Sequence, residues 1–437
     1  MTLRKILPAA LLCLLIFFSP GCKKKKEDTI PPLVSISNPV SGQAFNMFDT
    51  ITVTAHVSDE TQLTSVVVSL NDGNNIPVQS AVSISIQSKN FTFTLKYPLT
   101  EYHLTSGNYY ISIIANDGSN SHQSTTQVYV TESPTLKTGY FITGISQPKN
   151  IGRYDVNFNP TGNISLNTGF NGMAYAGYYR QLYVNGNINQ SFQAFYEPTS
   201  SPVWSGAYGG GGLPQDMAVF TNGREPYISY YSGYVISYSN NGTTDKTYKN
   251  ANNTYYASRF CFGSSYNLGI YKDKLGTATD KIISFGKNTG IAFNSNFAPC
   301  SVVTMFPHTD DEFYVLGNNT ANNVQLYLYT VSANVFAGPL SLPAGKLLSA
   351  AQIDPDYLVF SLDNANIYGY RYSTGNTLSL ANIAAQKLFY HPKMYELTVA
   401  ASKTLYVYPV TGSYALGTAS SHIFSDSITA FEVITNK

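Results

Sequence analysis

Acidic side chains and a histidine come together at one place in this 437-residue chain, between Pro307 and Glu312. His308 lies there beside Asp310, Asp311 and Glu312, a set that could bind a metal or act in general acid–base catalysis. A short solvated hairpin explains the same run, and we favour it. No HxxxH, HExxH or GxSxG motif occurs, and the cysteines lack zinc-ligand spacing. We therefore predict no metal site, no cofactor and no catalytic residue.

The single tryptophan, Trp204, precedes a run of four glycines at 209–212. Such a run cannot pack a core, which favours a flexible loop, and loops often carry binding residues. Trp204 and Tyr208 could stack on a sugar ring or hold an apolar group of a partner protein. Tyr255 and Tyr256 lie in a second candidate loop. These four residues are our candidate ligand-binding set, although Trp204 could instead pack on an outer strand.

A repeat positions these residues, because a tyrosine-rich strand with a following turn recurs roughly every 38–47 residues. The copies lie at 153–162, 234–242, 366–375 and 404–412, with looser ones at 281–290 and 324–331 and a weak one at 192–196. Each repeat can be divided into four strands, of which the tyrosine strand is the third. Seven units fit this pattern, at 138–172, 173–208, 215–250, 254–296, 298–343, 347–382 and 384–421.

The two ends of this repeat region fit together. Its first unit opens at 139–144 with what would be a second strand, and a spare strand follows the last unit at 427–434. Donating the spare strand to the first unit would bury both edges. In its strand and Thr-Gly turn the region resembles the YVTN- and quinoprotein-like β-propellers, which implies a fold but no ligand. We predict a seven-bladed β-propeller over 133–437, with six or eight blades as the alternatives.

Two cysteines, Cys261 and Cys300, lie on or beside predicted innermost strands of consecutive repeats. Neighbouring innermost strands would bring them close enough for a disulfide in an oxidising compartment. Two buried apolar thiols are the alternative.

Residues 32–132 alternate between apolar and polar side chains over seven short strands, a pattern typical of an immunoglobulin-like β-sandwich. The strands are predicted at 33–37, 50–57, 64–70, 82–86, 91–95, 109–114 and 126–130. The stretches 32–42, 55–59 and 107–118 resemble the repeated Ig-like modules of bacterial surface proteins, which implies a spacer or adhesion role. Loop acids of this domain, Asp59, Glu60 and Asp117, could bind calcium or simply cap their turns. We favour turn capping.

The first 31 residues are predicted to be a targeting signal followed by a tether. Arg4 and Lys5 precede an apolar run that is too short to span a bilayer, as in a signal peptide. The following Ser-Pro-Gly-Cys resembles the lipobox of bacterial lipoproteins, which implies cleavage after residue 21 and lipidation of Cys22. The charged run after it resembles the export signals of Bacteroidetes lipoproteins. We assign 1–21 to the signal peptide and 22–31 to the tether.

Composition narrows the choice of function. Charged residues make up only 12% of the chain and the formal net charge is +1, which argues against nucleic acid as a partner. Taken together, the patterns predict an all-β protein, and the resemblances imply an outer-membrane lipoprotein of the bacterial envelope, held to the membrane by its lipid. We expect its propeller to bind or scaffold a neutral glycan or an envelope protein without catalysis. The alternative is a propeller enzyme that acts on a polysaccharide through paired carboxylates.

Overall fold

In the computed structural model of the protein, the described residues are 28–166, 169–186, 191–207, 218–250, 254–276 and 279–437. Every regular element in these ranges is a β-strand. Within the same ranges no helix has the length and apolar character needed to cross a membrane. The chain divides into two compact units between Pro134 and Thr135.

The first unit is a six-stranded sheet system. Its strands are β1 (Leu33–Asn38), β2 (Gln43–Asn46), β3 (Thr50–Asn71), β4 (Val82–Pro98), β5 (Gly107–Asn116) and β6 (Ser121–Thr131). Strand order is β1-β3-β5-β6-β2, and β4 also pairs with β3. Alternate side chains such as Val53, Val66 and Ile111 point into one apolar core.

Two strands of this unit are longer than the sequence pattern predicted. β3 joins the predicted strands 50–57 and 64–70, and β4 joins 82–86 and 91–95. Both strands continue because β3 and β4 stay paired across a register shift between Ser58 and Leu63. A bulge lets a strand bend without ending, so the interrupted alternation marked a bend and not a loop.

The second unit forms seven four-stranded antiparallel sheets from its described residues. Sheet 1 contains β7 (Lys137–Gly144), β8 (Asn150–Tyr154), β9 (Pro160–Ser165) and the C-terminal β34 (Ile428–Thr435). Sheet 2 contains β10 (Phe170–Ala176), β11 (Gln181–Gly186), β12 (Ser191–Tyr196) and β13 (Ser201–Ala207). Sheet 3 contains β14 (Val219–Thr221), β15 (Pro226–Ser229), β16 (Tyr234–Tyr238) and β17 (Thr244–Lys249). Sheet 4 contains β18 (Tyr255–Phe262), β19 (Tyr266–Asp273), β20 (Lys281–Gly286) and β21 (Ala292–Phe297).

The remaining three sheets follow the same order along the chain. Sheet 5 contains β22 (Ser301–Pro307), β23 (Glu312–Asn318), β24 (Val324–Thr330) and β25 (Val335–Leu340). Sheet 6 contains β26 (Leu347–Asp354), β27 (Tyr357–Leu362), β28 (Ile367–Arg371) and β29 (Asn376–Ala381). Sheet 7 contains β30 (Lys387–His391), β31 (Glu396–Ala401), β32 (Thr404–Pro409) and β33 (Ser420–Ile423).

Consecutive sheets pack face to face through shared apolar cores. Each neighbouring pair, from sheets 1 and 2 to sheets 6 and 7, buries one such cluster between its members. A seventh cluster joins the two ends of the series, where Leu405 and Val407 of sheet 7 pack with Tyr140 and Phe431 of sheet 1. The order of the seven sheets is therefore cyclic.

The C-terminal strand completes sheet 1. β34 runs antiparallel to β7, from the pair Ile428 and Gly144 to the pair Thr435 and Lys137. It is the first strand of that sheet and contacts β10, the first strand of sheet 2. Four other pairs of neighbouring first strands are also in contact, namely β10 and β14, β18 and β22, β22 and β26, and β26 and β30. The first strands thus lie side by side.

Candidate functional site

The first strands enclose a cavity of about 670 Å³. Every one of the seven sheets contributes side chains to its wall from its first strand or the residue just before it. The described wall contains hydroxyl, amide, apolar and cationic side chains and no aspartate, glutamate or histidine. A cavity of this size could enclose a small ligand or part of a chain.

A ring of β-bulges surrounds this cavity. Five of the first strands, β10, β18, β22, β26 and β34, shift register by one residue against their second strand near the point where each begins. All five bulge residues line the cavity, and they are Asn171, Ser258, Val303, Leu348 and Thr429. Bulges redirect side chains and are frequent beside functional sites. Here they turn two successive residues of each strand toward the same space.

The residues that follow the bulges form one layer of the wall. Four of them are small, namely Gly172, Thr304, Ser349 and Ala430, whereas the fifth is Arg259. The small side chains leave open space in the cavity, whose wall Arg259 also lines.

Arg259 has few partners in this position. Its Nη1 donates a hydrogen bond to the backbone oxygen of Ser258 at 3.0 Å. No carboxylate among the described residues pairs with it. The side chain is exposed to the cavity, yet the surrounding protein desolvates the guanidinium and lowers the pKa of Arg259.

Two lysines of the wall are paired with acids that lie behind it. Lys272 Nζ lies 3.2 Å from Asp280 Oδ2, which also accepts the backbone N–H of Val302 at 2.7 Å. Lys387 Nζ lies 3.3 Å from Glu432 Oε1, and desolvation raises the pKa of Glu432 although Lys387 opposes this effect. The carboxylates neutralise the ammonium groups without facing the cavity.

A smaller cavity of about 390 Å³ continues this surface between the first strands of sheets 4, 5 and 6. It shares Arg259 and Lys272 with the larger cavity and adds the exposed Lys346. Its described wall also contains Ser301 and Asn318 but no acid. The described side chains that line the two cavities are therefore cationic or neutral.

Of the predicted ligand-binding tyrosines, Tyr256 reaches the cavity. It lies at the start of β18, lines the wall, and stacks on Tyr231 with ring centroids 5.9 Å apart. Lys274 Nζ lies 4.2 Å from the centroid of the Tyr231 ring. Tyr255 is only 7% exposed and packs into the core between sheets 3 and 4, so it cannot stack on a ligand.

The predicted loop position of Trp204 is wrong. Trp204 lies in β13 and packs against Phe192 and Tyr238, with ring centroids 5.1 and 5.6 Å away. Its partly buried indole fills the core between sheets 2 and 3, next to Gly242, where an added Cβ would lie 2.8 Å from the ring. The alternative of packing on an outer strand therefore describes this residue, because its ring is buried against aromatic side chains of both sheets. Tyr208 lies outside the described residues.

Cys261 and Cys300 are free thiols. The disulfide that the sequence allowed is not formed, and both side chains pack in the apolar core between sheets 4 and 5. Burial raises the pKa of each thiol to about 12. The alternative of two buried, unreactive thiols therefore describes this pair.

Two of the three loop acids singled out in the sequence, Asp59 and Asp117, lie close together in the first unit, and Asp28 takes the place of Glu60. The carboxylates of Asp59 and Asp117 approach that of Asp28, with an oxygen from each within 4.8 Å of the others. Asp59 Oδ1 accepts the backbone N–H of Thr61, and Asp117 Oδ1 accepts that of Asn120. Turn capping thus accounts for Oδ1 of Asp59 and of Asp117, whereas Oδ2 of Asp28 and of Asp59 is buried without a hydrogen-bond partner among the described residues. Glu60 is not part of the group.

The acidic run after His308 forms the hairpin between β22 and β23, which is the interpretation favoured from the sequence over a metal or catalytic site. His308 Nδ1 lies 2.9 Å from the backbone oxygen of Pro355, and its ring packs on Tyr314. Asp311 accepts the backbone N–H of Ser332 at 2.9 Å, so these groups stabilise turns between sheets 5 and 6 and within sheet 5.

Sequence reasoning missed Arg259 and the cavity around it. The signal available was a single charged residue within a mostly apolar first strand, since charged side chains rarely point into a core. Its four counterparts after the bulges are far apart in the sequence, so only the assembled fold brings them together.

Comparisons with known proteins identify part of the chain. The family described as "Bacterial Ig domain" matches residues 32–113. No curated protein matches the sequence. Among solved structures, the Kuenenia stuttgartiensis hydrazine synthase is similar over 72% of this chain and 93% of that one, with a TM-score of 0.47 and 9% identity. Residues 32–113 are therefore a bacterial Ig-like domain, which suggests an extracellular or envelope protein, in a chain whose described regular structure is all β.

Proposed function

We propose that this protein is a lipid-anchored protein of the bacterial envelope whose second unit is a seven-bladed β-propeller that binds a glycan without turning it over. The cyclic series of seven four-stranded sheets supports the propeller, as does completion of sheet 1 by the C-terminal strand. Such closure removes exposed sheet edges. The Ig-like domain would serve as a spacer between the anchor and the propeller.

The observation that carries the binding role is the composition of the cavity wall. Acid–base catalysis on a polysaccharide requires a proton donor and a base or nucleophile near the scissile bond, in most cases two carboxylates. The described wall contains no carboxylate, but it does offer hydroxyls, amides and Tyr256, whose ring stacks on Tyr231 behind it. These groups hydrogen-bond and stack on sugars, so they support retention of a ligand over its conversion.

The test is a screen of soluble glycans by isothermal titration calorimetry and by product analysis. Tyr256→Ala should weaken binding about three- to tenfold, as expected for one lost stacking contact. Tyr395→Ala is the control, because Tyr395 is 66% exposed and lies in the hairpin between β30 and β31. Neither substitution should prevent folding.

Three outcomes contradict the proposal. Release of sugar products, abolished by changing a carboxylate, would show that the protein is an enzyme. Equal effects of the two tyrosine substitutions would show that the cavity is not the site. Capture of an envelope protein with no glycan bound would replace the glycan by a protein partner.

A further inference from the structure

We propose that the ligand of this cavity carries an oxyanion, and that Arg259 binds it. The inference rests on the proposed binding function and replaces the neutral glycan expected from the sequence with an acidic one. The relevant chemistry is a carboxylate or a sulfate on a saccharide.

The first argument is the charge of the wall. Lys272 and Lys387 are neutralised by Asp280 and Glu432 behind them. Arg259 has no such partner among the described residues, and Lys346 adds a second cation where the smaller cavity joins. A cation held in a concave site with no acid beside it attracts anions, because the surrounding protein weakens solvent screening.

The second argument is the geometry of the layer. Arg259 follows a bulge, and the residues that follow the corresponding bulges on the other four strands are Gly172, Thr304, Ser349 and Ala430. Their small size leaves space beside the guanidinium, and two of them present hydroxyl groups. An oxyanion in this space could accept hydrogen bonds from both the guanidinium and the hydroxyls.

The third argument is the hydrogen-bonding capacity of Arg259. A guanidinium has five N–H groups in a planar fork, and one described acceptor, the backbone oxygen of Ser258, is within reach. The fork matches a carboxylate or a sulfate through two parallel hydrogen bonds. Tyr256 lies three residues earlier on the same strand and would contact the sugar ring that carries the acidic group.

The experiment is a titration of the full chain with four probes. They are a uronic acid disaccharide, a sulfated disaccharide, a neutral disaccharide of the same size and inorganic phosphate. The acidic sugars should bind more tightly than the neutral one, and more weakly as salt is raised. Comparison of the first two probes distinguishes a carboxylate from a sulfate.

Variants locate the site. Arg259→Gln should weaken binding of the acidic sugars about tenfold or more, as expected for the loss of charged hydrogen bonds. Arg259→Lys should fall between that variant and the parent, since it keeps the charge but loses the fork. Arg224→Gln is the control. Arg224 is exposed in the hairpin between β14 and β15, and its guanidinium packs over the ring of Tyr178. Thermal melting checks that each variant is folded.

The outcomes separate this inference from the proposed function. Neutral and acidic sugars binding equally, with no effect of Arg259→Gln, would overturn the inference and leave the glycan-binding proposal standing. If phosphate bound through Arg259 and no sugar bound, the anion site would be supported and the proposal of glycan binding would be overturned. Binding of none of the probes would overturn the inference.

Discussion

At the residue scale, a buried carboxylate joins sheets 1 and 2. Glu197 is fully buried in the turn that follows β12. Arg180 donates to its Oε2 from Nη2 at 2.6 Å and from Nε at 3.2 Å. Arg153 of β8 donates to its Oε1. Both carboxylate oxygens thus have charged donors, from two different sheets.

Removing this carboxylate should destabilise the second unit. Glu197→Ala leaves Arg153 and Arg180 without their acid. Because these arginine side chains are 24% and 38% exposed, water can solvate them, and the loss should be about 1–3 kcal/mol, below that of a fully buried pair. Asp245→Asn is the control, because Asp245 and Lys246 form a partly exposed pair at 3.4 Å, which should contribute less than about 1 kcal/mol. Denaturant unfolding measures both variants. Equal losses would show that the Glu197 pair is no stronger than a surface pair.

The buried thiols have a measurable consequence as well. With both pKa values raised to about 12, almost no thiolate exists at pH 8 in the folded protein. Iodoacetamide should therefore label Cys261 and Cys300 slowly in the native state and rapidly after unfolding. Mass spectrometry under non-reducing conditions checks the pairing, and a peptide containing both residues joined by a disulfide would contradict the free thiols.

At the element scale, the local sequence pattern predicted the positions of most strands but not the details of how they pair. The tyrosine-rich segments are third strands in sheets 2 to 7, including the weak copy at β12, because period-two alternation is visible in a short stretch. In sheet 1 the copy at 153–162 is displaced, since its third strand ends at Tyr154 and the fourth begins at Pro160. The place where β3 continues through a bulge was missed, since continuation depends on the partner strand. Trp204 was misplaced because its contacts with Phe192 of its own sheet and Tyr238 of sheet 3 form only in the folded chain, whereas the glycines after it are visible in the sequence. The cavity was missed because its wall comes from every sheet.

Closure by β34 also makes a prediction at this scale. Deleting residues 427–437 removes the first strand of sheet 1, together with the side chains of Phe431 and Val433 in the core shared with sheet 7. An unpaired edge of β7 would remain, so the truncated protein should aggregate or lose cooperative unfolding. Thr429→Ala keeps the strand and is the control. A truncated protein that melts within a few degrees of the parent would contradict closure.

At the scale of the whole molecule, positive and negative charges nearly cancel, whereas the described wall of the cavity has cationic side chains and no acidic ones. The formal net charge is +1, so no long-range field would gather anions on the surface. The affinity of the proposed site for an acidic sugar must then come from local cations, chiefly Arg259 and Lys346. For this reason a single substitution at Arg259 is a decisive test, whereas it would be a weak one on a uniformly basic protein.

The lipid anchor is the property that would place both units at a membrane. Cys22 lies outside the described residues, and its lipidation is a proposal based on the sequence before it. Several acyl chains on one residue hold a protein on a bilayer stably, whereas one chain does so only marginally. Cys22→Ser should therefore leave the protein unprocessed or release it into the soluble fraction of a bacterial host. Cys13→Ser, within the apolar run, is the matched control and should change neither processing nor fractionation. If the Cys22 variant remained in the membrane at the mass of the processed parent, the anchor would have to be sought elsewhere in the chain.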